Sequence, residues 1–215
     1  MRSYVSPIGY DSSRVTRTVI SNGIETEDHI ALLRPAIEMD DNRASQAVRD
    51  VRQMLSQIEP DVRISVHEVP HTQFEQGVKS ICDIFDELHG DIIVNLSGGA
   101  RDVYLALATA AMAYNSRIDE YLTFSDIDGE VRPIDLPNLI VDTPSASFET
   151  LVVIDSFDRP PCISDLTDIR NIAKSTITRH LQQLEARGLV TTWQDGKSKF
   201  ADITFTGHLL VRAKT

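Results

Sequence analysis

Cysteine is scarce in this chain of 215 residues, which contains only Cys82 and Cys162. The two residues lie in different segments and neither belongs to a Cys-x-x-Cys pair. The spacing therefore indicates neither a disulfide framework nor a cysteine-based zinc motif. We expect both residues to be buried free thiols, as is usual in a reducing compartment.

Long apolar runs are also absent. No stretch of about 18 apolar residues is present that could cross a bilayer as a helix. The N-terminal residues Met1–Pro7 lack the apolar segment of a signal peptide. We therefore expect a cytoplasmic protein with no membrane partner.

Motifs of metal binding and catalysis are missing as well. The chain shows no Ser–His–Asp, Cys–His or metal-ligand pattern, and it contains neither a Walker A motif nor a GxGxxG motif. His67 and His71 are four residues apart, but Pro70 lies between them, so they do not share a helix face. We expect no catalytic residue, no metal and no cofactor apart from an effector ligand.

Lysine is the rare cation, with five residues against 16 arginines, while aspartate outnumbers glutamate 21 to 11. An acidic, lysine-poor surface stays hydrated in concentrated salt, which indicates a salt-loving archaeal source. The net charge of -11 is uneven, because residues 1–144 carry 12 basic and 24 acidic side chains and residues 145–215 carry nine and eight. Residues 170–199 hold six basic against two acidic side chains, an excess that favours a phosphate backbone as partner.

The apolar pattern alternates between strand-like and helix-like segments as far as residue 134. Such alternation predicts an α/β fold, a Rossmann-like domain with a mainly parallel sheet covered by helices. We assign this domain to residues 1–136, a proline-punctuated linker to 137–144 and a second domain to 145–215. The predicted strands are 4–7, 29–33, 62–66, 91–96, 117–123 and 130–134, and the predicted helices are 11–21, 41–58, 73–88 and 102–114.

The second domain shows the order of a winged helix-turn-helix, with three helices and a hairpin. A short helix starts at Ile163 with Ser164 as its cap, and a longer helix runs from Lys174 to Glu185. Two β-prone runs then flank an Asp-Gly turn, a hairpin signal, and the second run extends over 200–205. Such a domain binds double-stranded DNA or, alternatively, another protein. The residues predicted to meet DNA are Arg170, Lys174, Ser175, Thr176, Thr178, Arg179, Gln182, Gln183, Lys197 and Lys199.

Two glycine-containing segments each follow a predicted strand of the first domain. The first is Ser6-Pro7-Ile8-Gly9-Tyr10-Asp11, and the second is Asn95-Leu96-Ser97-Gly98-Gly99-Ala100-Arg101. Ligands of parallel sheets collect at the carboxyl ends of the strands, where a helix start with exposed N–H groups favours an anion. Arg101 is expected to supply positive charge there, with Arg14 and Arg17, which share a helix face, as further candidates; these two arginines could equally be solvated or pair with the acidic surface. The alternatives for the two segments are a plain tight turn at the glycines and a helix N-cap at Asp11.

These two segments resemble the two motifs of the CARF domain, the CRISPR-associated Rossmann fold. With the winged helix behind it, the chain resembles, over about residues 3–205, the CARF–winged-helix transcription regulators of archaeal CRISPR-Cas systems. The resemblance implies a homodimer that binds cyclic oligoadenylate across its two-fold axis and binds promoter DNA. By position, it implies a ligand site of Pro7, Ile8, Gly9, Tyr10, Asp11, Asn95, Ser97, Gly98, Gly99 and Arg101.

Two alternatives stay open at this point. Some CARF domains are ring nucleases that cleave their own cyclic ligand, and Tyr10, Ser97 and Arg101 are the residues that could assist such a reaction. The chain could also be a winged-helix regulator that senses a different small metabolite.

Overall fold

The computed structural model describes residues 1–37, 40–138 and 140–214. They form two compact units, Met1–Leu136 (unit 1) and Pro137–Thr215 (unit 2). Each unit has its own hydrophobic core.

Unit 1 is an α/β sheet domain, which confirms the predicted fold class. Its sheet has the order β3-β2-β1-β4-β5-β6, in which all neighbours are parallel except β5 and β6. The strands are β1 (Arg2–Pro7), β2 (His29–Pro35), β3 (Arg63–Val69), β4 (Asp91–Asn95), β5 (Glu120–Phe124) and β6 (Val131–Ile134). The helices are α1 (Ser13–Asn22), α2 (Asp41–Ile58), α3 (Phe74–Glu87) and α4 (Arg101–Ala113).

Helices cover both faces of this sheet. Residues of α1 and α2, such as Val19 and Val51, pack on one face, and residues of α3 and α4, such as Phe85 and Leu107, pack on the other. Strand β4 contributes to both cores, since Ile93 faces the first pair of helices while Ile92 and Val94 face the second. A strand buried on both sides explains the continuous apolar run in the sequence.

Most predicted elements of unit 1 are present, with shifts at their ends. Helix α2 has the predicted bounds, because its apolar residues keep helical spacing over the whole length. Strand β5 starts at Glu120 and not at Arg117, because Asn115–Arg117 form a 3-10 turn in which the N–H of Arg117 bonds to the carbonyl of Tyr114 at 2.8 Å.

Unit 2 contains a two-stranded hairpin and four helices instead of the three expected. The elements are α5 (Ser145–Asp155), α6 (Ile163–Arg170), α7 (Lys174–Glu185), β7 (Val190–Asp195), β8 (Ser198–Ile203) and α8 (Phe205–Lys214). The prediction of a strand to residue 205 was wrong, because β8 ends at Ile203. Thr204 then accepts a hydrogen bond from the N–H of Gly207 at 3.1 Å and caps α8.

The start of α6 also differs from the prediction. Cys162 is the N-cap residue, its backbone N–H donates to Asp165 Oδ2 at 3.0 Å, and its side chain accepts from the backbone of Asp165. Ser164 is instead an exposed residue inside the first turn. Cys82 and Cys162 are both free thiols, but they are half-buried and not buried as expected.

The segment predicted as a linker is part of unit 2. The N–H of Asn138 donates to Thr206 Oγ1 at 3.3 Å, and Arg187 Nε donates to the carbonyl of Asp142 at 2.7 Å. Leu139 of this segment lies outside the described residues, as does Thr215 at the end of the predicted second domain.

Candidate functional site

Two loops of unit 1 leave the sheet side by side at the carboxyl ends of its parallel strands, an edge called the rim below. Strands β1 and β4 are parallel neighbours, with Val5 opposite Val94. The first rim loop (residues 7–11) follows β1, and the second rim loop (residues 95–101) follows β4. Neighbouring parallel strands therefore bring the two predicted segments together.

The two rim loops touch through their backbones at glycine. A Cβ atom added to Gly99 would lie 2.6 Å from Pro7 Cβ, and one added to Gly9 would lie 3.4 Å from Gly99 Cα. Gly98 and Gly99 have φ angles of +79° and +74°, which L side chains rarely adopt. The glycines thus permit both the turn and the close approach of the loops.

Helix α4 begins directly after this turn. Its N-cap residue, Ala100, makes no side-chain hydrogen bond to the helix start. The first N–H groups of a helix have no partner within the helix, and they favour an anion. Half-buried Gly98, Gly99 and Ala100 lead into this helix start, so the second rim loop has the chemistry of an anion site.

Asn95 and Ser97 belong to the second rim loop, but their side chains are buried beneath it instead of lining its surface. Asn95 Nδ2 donates to Ser6 Oγ at 2.8 Å and to the carbonyl of Arg14 at 3.3 Å. Ser97 Oγ accepts from the N–H of Phe124 at 2.5 Å. Both side chains are almost fully buried, at 1% and 6% exposure. They hold the loop in place, and contact with a ligand would fall to other residues.

The first rim loop is divided in the same way. Pro7 and Ile8 are buried, whereas Tyr10 and Asp11 are exposed and Gly9 is half-buried. Asp11 Oδ1 accepts from the N–H of Ser13 at 2.8 Å, and hydrogen bonds from Ser13 hold the pKa of this carboxyl below its usual value. Asp11 therefore serves the start of α1, and Tyr10 is the exposed aromatic residue of the loop.

The expected source of positive charge at the rim needs correction. Arg14 pairs with Asp126 at 3.0 Å, and the Arg17 guanidinium lies 5.6 Å from the ring centroid of Phe124. Arg14 is thus engaged by an ion pair at the turn after β5, whereas Arg17 is exposed and its guanidinium lies against the Phe124 ring. Arg101, in contrast, is exposed and makes no ion pair or hydrogen bond with the side chain of any described residue.

Sequence reasoning missed a second cation at the rim. Arg43, in the first turn of α2, places its guanidinium carbon 4.6 Å from the ring centroid of Tyr10. Strand β2 lies next to β1 in the sheet, so the helix after β2 starts at the rim. The order of strands in the sheet, and not a sequence motif, places Arg43 at the rim.

In unit 2, α7 and the hairpin present most of the predicted DNA-binding residues to solvent. Lys174, Ser175, Arg179, Gln182 and Lys197 are exposed, and Thr176, Thr178 and Lys199 are half-buried. A groove of about 260 Å³ between the start of α6, the start of α7 and the hairpin gathers Lys174, Lys197 and Lys199. The structure therefore collects three basic side chains that are up to 25 residues apart in the sequence.

Two predicted DNA-binding residues are engaged within unit 2 instead. Arg170 pairs with Glu149 at 2.7 Å and its side chain is only 16% exposed. Gln183 Oε1 accepts from Ser147 Oγ at 2.5 Å. These two residues connect α6 and α7 to α5, a helix whose bounds were not predicted from the sequence.

Residues 1–37, 40–138 and 140–214 show neither a candidate metal cluster nor a candidate membrane span. That part of the chain holds no group of three or more His, Cys, Asp or Glu side chains arranged to bind a metal ion. None of its helices has the length and apolar character needed to span a bilayer.

Comparisons with known families match both parts of the chain. Residues 2–132 match the profile of a family described as Csa3 CRISPR-associated Rossmann-like domain. Residues 157–192 match the profile of the bacterial regulatory protein arsR family, over α6, α7 and the start of β7. No curated protein matches the chain significantly.

Three solved structures illustrate the similarity to known folds. Can2 from Sulfobacillus thermosulfidooxidans, in complex with cyclic tetra-adenylate, is 18% identical over 99% of this chain and 57% of its own, with a TM-score of 0.44. Enterococcus italicus Csm6, bound to cyclic hexa-2'-fluoro-hexa-dAMP, is 11% identical over 87% and 49%, with a TM-score of 0.49. Streptococcus pneumoniae FabT, in complex with DNA, is 21% identical over 34% and 52%, with a TM-score of 0.32. The chain thus spans about half the length of each structure.

Proposed function

The chain belongs to the family of the Csa3 CRISPR-associated Rossmann-like domain, and on that premise we propose that it is a ligand-responsive transcription regulator of CRISPR-Cas genes. In this proposal unit 1 binds cyclic oligoadenylate at the rim, and unit 2 binds promoter DNA through α7 and the hairpin. A salt-loving archaeal source belongs to the same proposal, supported by the excess of Arg over Lys and of Asp over Glu. So does a cytoplasmic location, where the proposed promoter DNA would lie.

The observation that carries the ligand site is the contact of the two rim loops at glycine. Gly9 and Gly99 allow two backbones to meet where a Cβ on Gly99 would overlap Pro7. The uncapped start of α4 and the exposed Arg101 lie next to this contact. Backbone N–H groups and a guanidinium together suit the phosphates of a nucleotide ligand.

A homodimer is supported by an apolar stripe on α4. Tyr104 and Leu105 are 38% and 55% exposed, and Ala108 and Met112 continue the same helix face as half-buried residues. Apart from Arg101 the side chains of the stripe are uncharged, although unit 1 is strongly acidic and the exposed Asp102 borders the stripe one helical turn from Leu105. An uncharged patch can meet its own copy without like-charge repulsion, and the partner would cover the exposed apolar side chains. Because the stripe starts at Arg101, two copies would bring two second rim loops together.

DNA binding is supported by the composition of the exposed face of α7. Lys174 and Arg179 suit phosphates, while Ser175 and Gln182 are of the types that bond to base edges. The lysines of the hairpin add a second basic element beside the helix start. A dimer would present two such surfaces to two half-sites of the DNA. Ligand binding would favour or disfavour the dimer conformation in which the two surfaces match the spacing of the half-sites.

Titrations with both ligands test this proposal. A DNA duplex is first selected from a random library by the protein itself. Its affinity is then measured by fluorescence anisotropy without ligand, and with saturating cyclic tetra-adenylate or cyclic hexa-adenylate. We expect one ring to change DNA affinity by about 5- to 150-fold, and the duplex to change the affinity for that ring by the same factor, because coupling is reciprocal. Equal DNA affinity in all three conditions would contradict the regulator.

A further inference from the structure

Arg43 contacts Tyr10, the exposed aromatic residue of the first rim loop. Its backbone is fixed by the helix cap, since its N–H donates to Asp40 Oδ1 at 3.1 Å. Its guanidinium carbon lies 4.6 Å from the ring centroid of Tyr10, and both side chains are exposed. Among the described residues, no ion pair or hydrogen bond engages the Arg43 side chain.

The position of Arg43 follows from the order of the strands. Strand β2 is paired with β1, with Pro7 opposite Leu33, so both strands end at the rim. Helix α2 starts after β2 and delivers Arg43 to Tyr10. Tyr10 follows Gly9, which meets Gly99 of the second rim loop. The guanidinium of Arg43 therefore contacts Tyr10, which is the residue next to Gly9, where the two rim loops meet.

Stacking on Tyr10 leaves the hydrogen-bonding edge of Arg43 available. A guanidinium on an aromatic face is held in one plane, and its N–H groups point outward along that plane. This arrangement fixes the donor fork before a ligand arrives, which lowers the entropy lost on binding. A phosphate is the group that such a fork binds in a bidentate manner.

We propose that Arg43 is a phosphate-binding residue of the rim, held in place by Tyr10, and that it binds a second phosphate of the ring whose first phosphate meets the second rim loop and Arg101. This inference rests on the proposed function. It adds Arg43, at the start of α2, to the arginines expected at the rim, of which Arg14 is paired with Asp126. Tyr10 acts through Arg43 and is a positioning residue in this arrangement.

Isothermal titration calorimetry of the full chain with cyclic tetra-adenylate and cyclic hexa-adenylate tests the proposal. Losing a charge-assisted hydrogen-bonded pair should make Arg43→Gln bind the preferred ring about 10- to 100-fold more weakly. Tyr10→Leu, which removes the stacking platform, should weaken binding by a smaller factor, and Tyr10→Phe should keep it. Arg49→Gln is the matched control, because Arg49 is exposed on the same helix and, among the described residues, its side chain bonds only to Gln46.

The dependence of binding on salt separates a phosphate contact from a structural role. Between about 0.1 and 0.5 M KCl, ring affinity should fall less steeply for Arg43→Gln than for the wild type, since one screened attraction is gone. Equal affinity and equal salt dependence for Arg43→Gln and Arg49→Gln would overturn the inference while leaving the proposed function intact. If the wild type binds neither ring, the proposed function fails and the inference fails with it.

Discussion

The side chains of Asn95 and Ser97 show how single residues prepare the rim without reaching its surface. Each is buried and hydrogen-bonded to a neighbouring strand, Asn95 to Ser6 of β1 and Ser97 to Phe124 of β5. These bonds fix the position of the second rim loop relative to the sheet. Loss of a buried hydrogen-bond partner leaves a desolvated polar group, which is unfavourable by about 1–3 kcal/mol. The exposed groups of the rim therefore depend on buried ones that a ligand would not touch.

Gly99→Ala should destabilise unit 1. The new Cβ would lie 2.6 Å from Pro7 Cβ, and the φ angle of +74° is unfavourable for alanine. We expect a loss of about 2–4 kcal/mol, with steric overlap added to the roughly 1–2 kcal/mol of the left-handed conformation. Urea unfolding followed by circular dichroism measures it.

Gly188→Ala is the control for this comparison. Gly188 has a φ angle of +67°, but a Cβ there would meet no atom within 4 Å. This variant should lose only the conformational part, about 1–2 kcal/mol. Equal losses in the two variants would show that the rim loops are not in tight contact.

Two histidines on β2 and β3 predict a pH dependence of unit 1. His29 Nε2 and His67 Nε2 lie 2.8 and 2.7 Å from Ser65 Oγ, and burial lowers the pKa of both imidazoles. Arg63 lowers the pKa of His29 further, whereas Glu87 opposes the shift at His67. Both histidines therefore bind protons less readily in the folded chain than in the unfolded chain.

The sign of the effect follows from this difference. Above about pH 6.5 both imidazoles are mostly neutral in the folded and the unfolded chain, so their titration does not reduce the free energy of unfolding. As the pH falls below this value, the unfolded chain takes up more protons than the folded chain, which stabilises the unfolded state. The urea midpoint of unit 1 should therefore be lower at about pH 5.5 than at about pH 7.5. The variant with His29→Gln and His67→Gln together should show a smaller difference, and an unchanged difference would refute the assignment.

At the scale of elements, the start of α6 depends on a residue inside the helix. Asp165 reaches back to the N–H of Cys162, and this bond is the first cause of the lowered pKa of its carboxyl. The reciprocal bonds of a capping box fix the first turn and with it the angle at which the chain enters the helix. The neighbouring α7 begins only four residues after α6 ends, so the cap also supports the helix-turn-helix.

Asp165→Ala should lower the stability of unit 2 by about 1 kcal/mol, the usual loss on removing a capping side chain. Ser164→Ala provides the comparison, since Ser164 is exposed and makes no capping bond. Thermal unfolding of the two variants measures the difference. A larger loss of stability for Ser164→Ala than for Asp165→Ala would show that Ser164 is the capping residue, as predicted from the sequence.

At the scale of the whole molecule, the distribution of charge limits where two chains can meet. Unit 1 is acidic, so most of its surface repels a second copy, and this repulsion is screened as salt rises. The stripe on α4, whose side chains are uncharged apart from Arg101, is a region of unit 1 where this repulsion is weaker. Its position beside Arg101 would couple dimerisation to ligand binding.

Leu105→Asp should convert a dimer into monomers. The substitution places a carboxylate in the middle of the stripe and should raise the dimer dissociation constant roughly 30-fold or more, as at other interface centres. Light scattering coupled to size-exclusion chromatography measures the mass. Ile127→Asp is the control, because Ile127 is 98% exposed on the turn after β5 and lies off α4. Dimers that survive Leu105→Asp would place the interface elsewhere.

Features determined by local periodicity were predictable from the sequence. The run of apolar residues at helical spacing predicted α2, and the Asp-Gly turn between β-prone runs predicted the hairpin of β7 and β8. The end of β8 was misplaced, because the cap that starts α8 is one hydrogen bond, which the N–H of Gly207 donates to Thr204 Oγ1. Trp193 is 42% exposed and stacks on Phe200 across the hairpin, a contact that depends on the pairing of the two strands.

The sequence alone determined the α/β class, the helix-turn-helix and the two glycine-rich segments, because each is encoded by neighbouring residues and by a repeating pattern. Only the tertiary structure decided which side chains reach the rim. It turned Asn95 inward, paired Arg14 with Asp126 and placed Arg43 on Tyr10. These contacts join residues far apart in the chain, and they depend on the order of strands in the sheet, which no local pattern specifies.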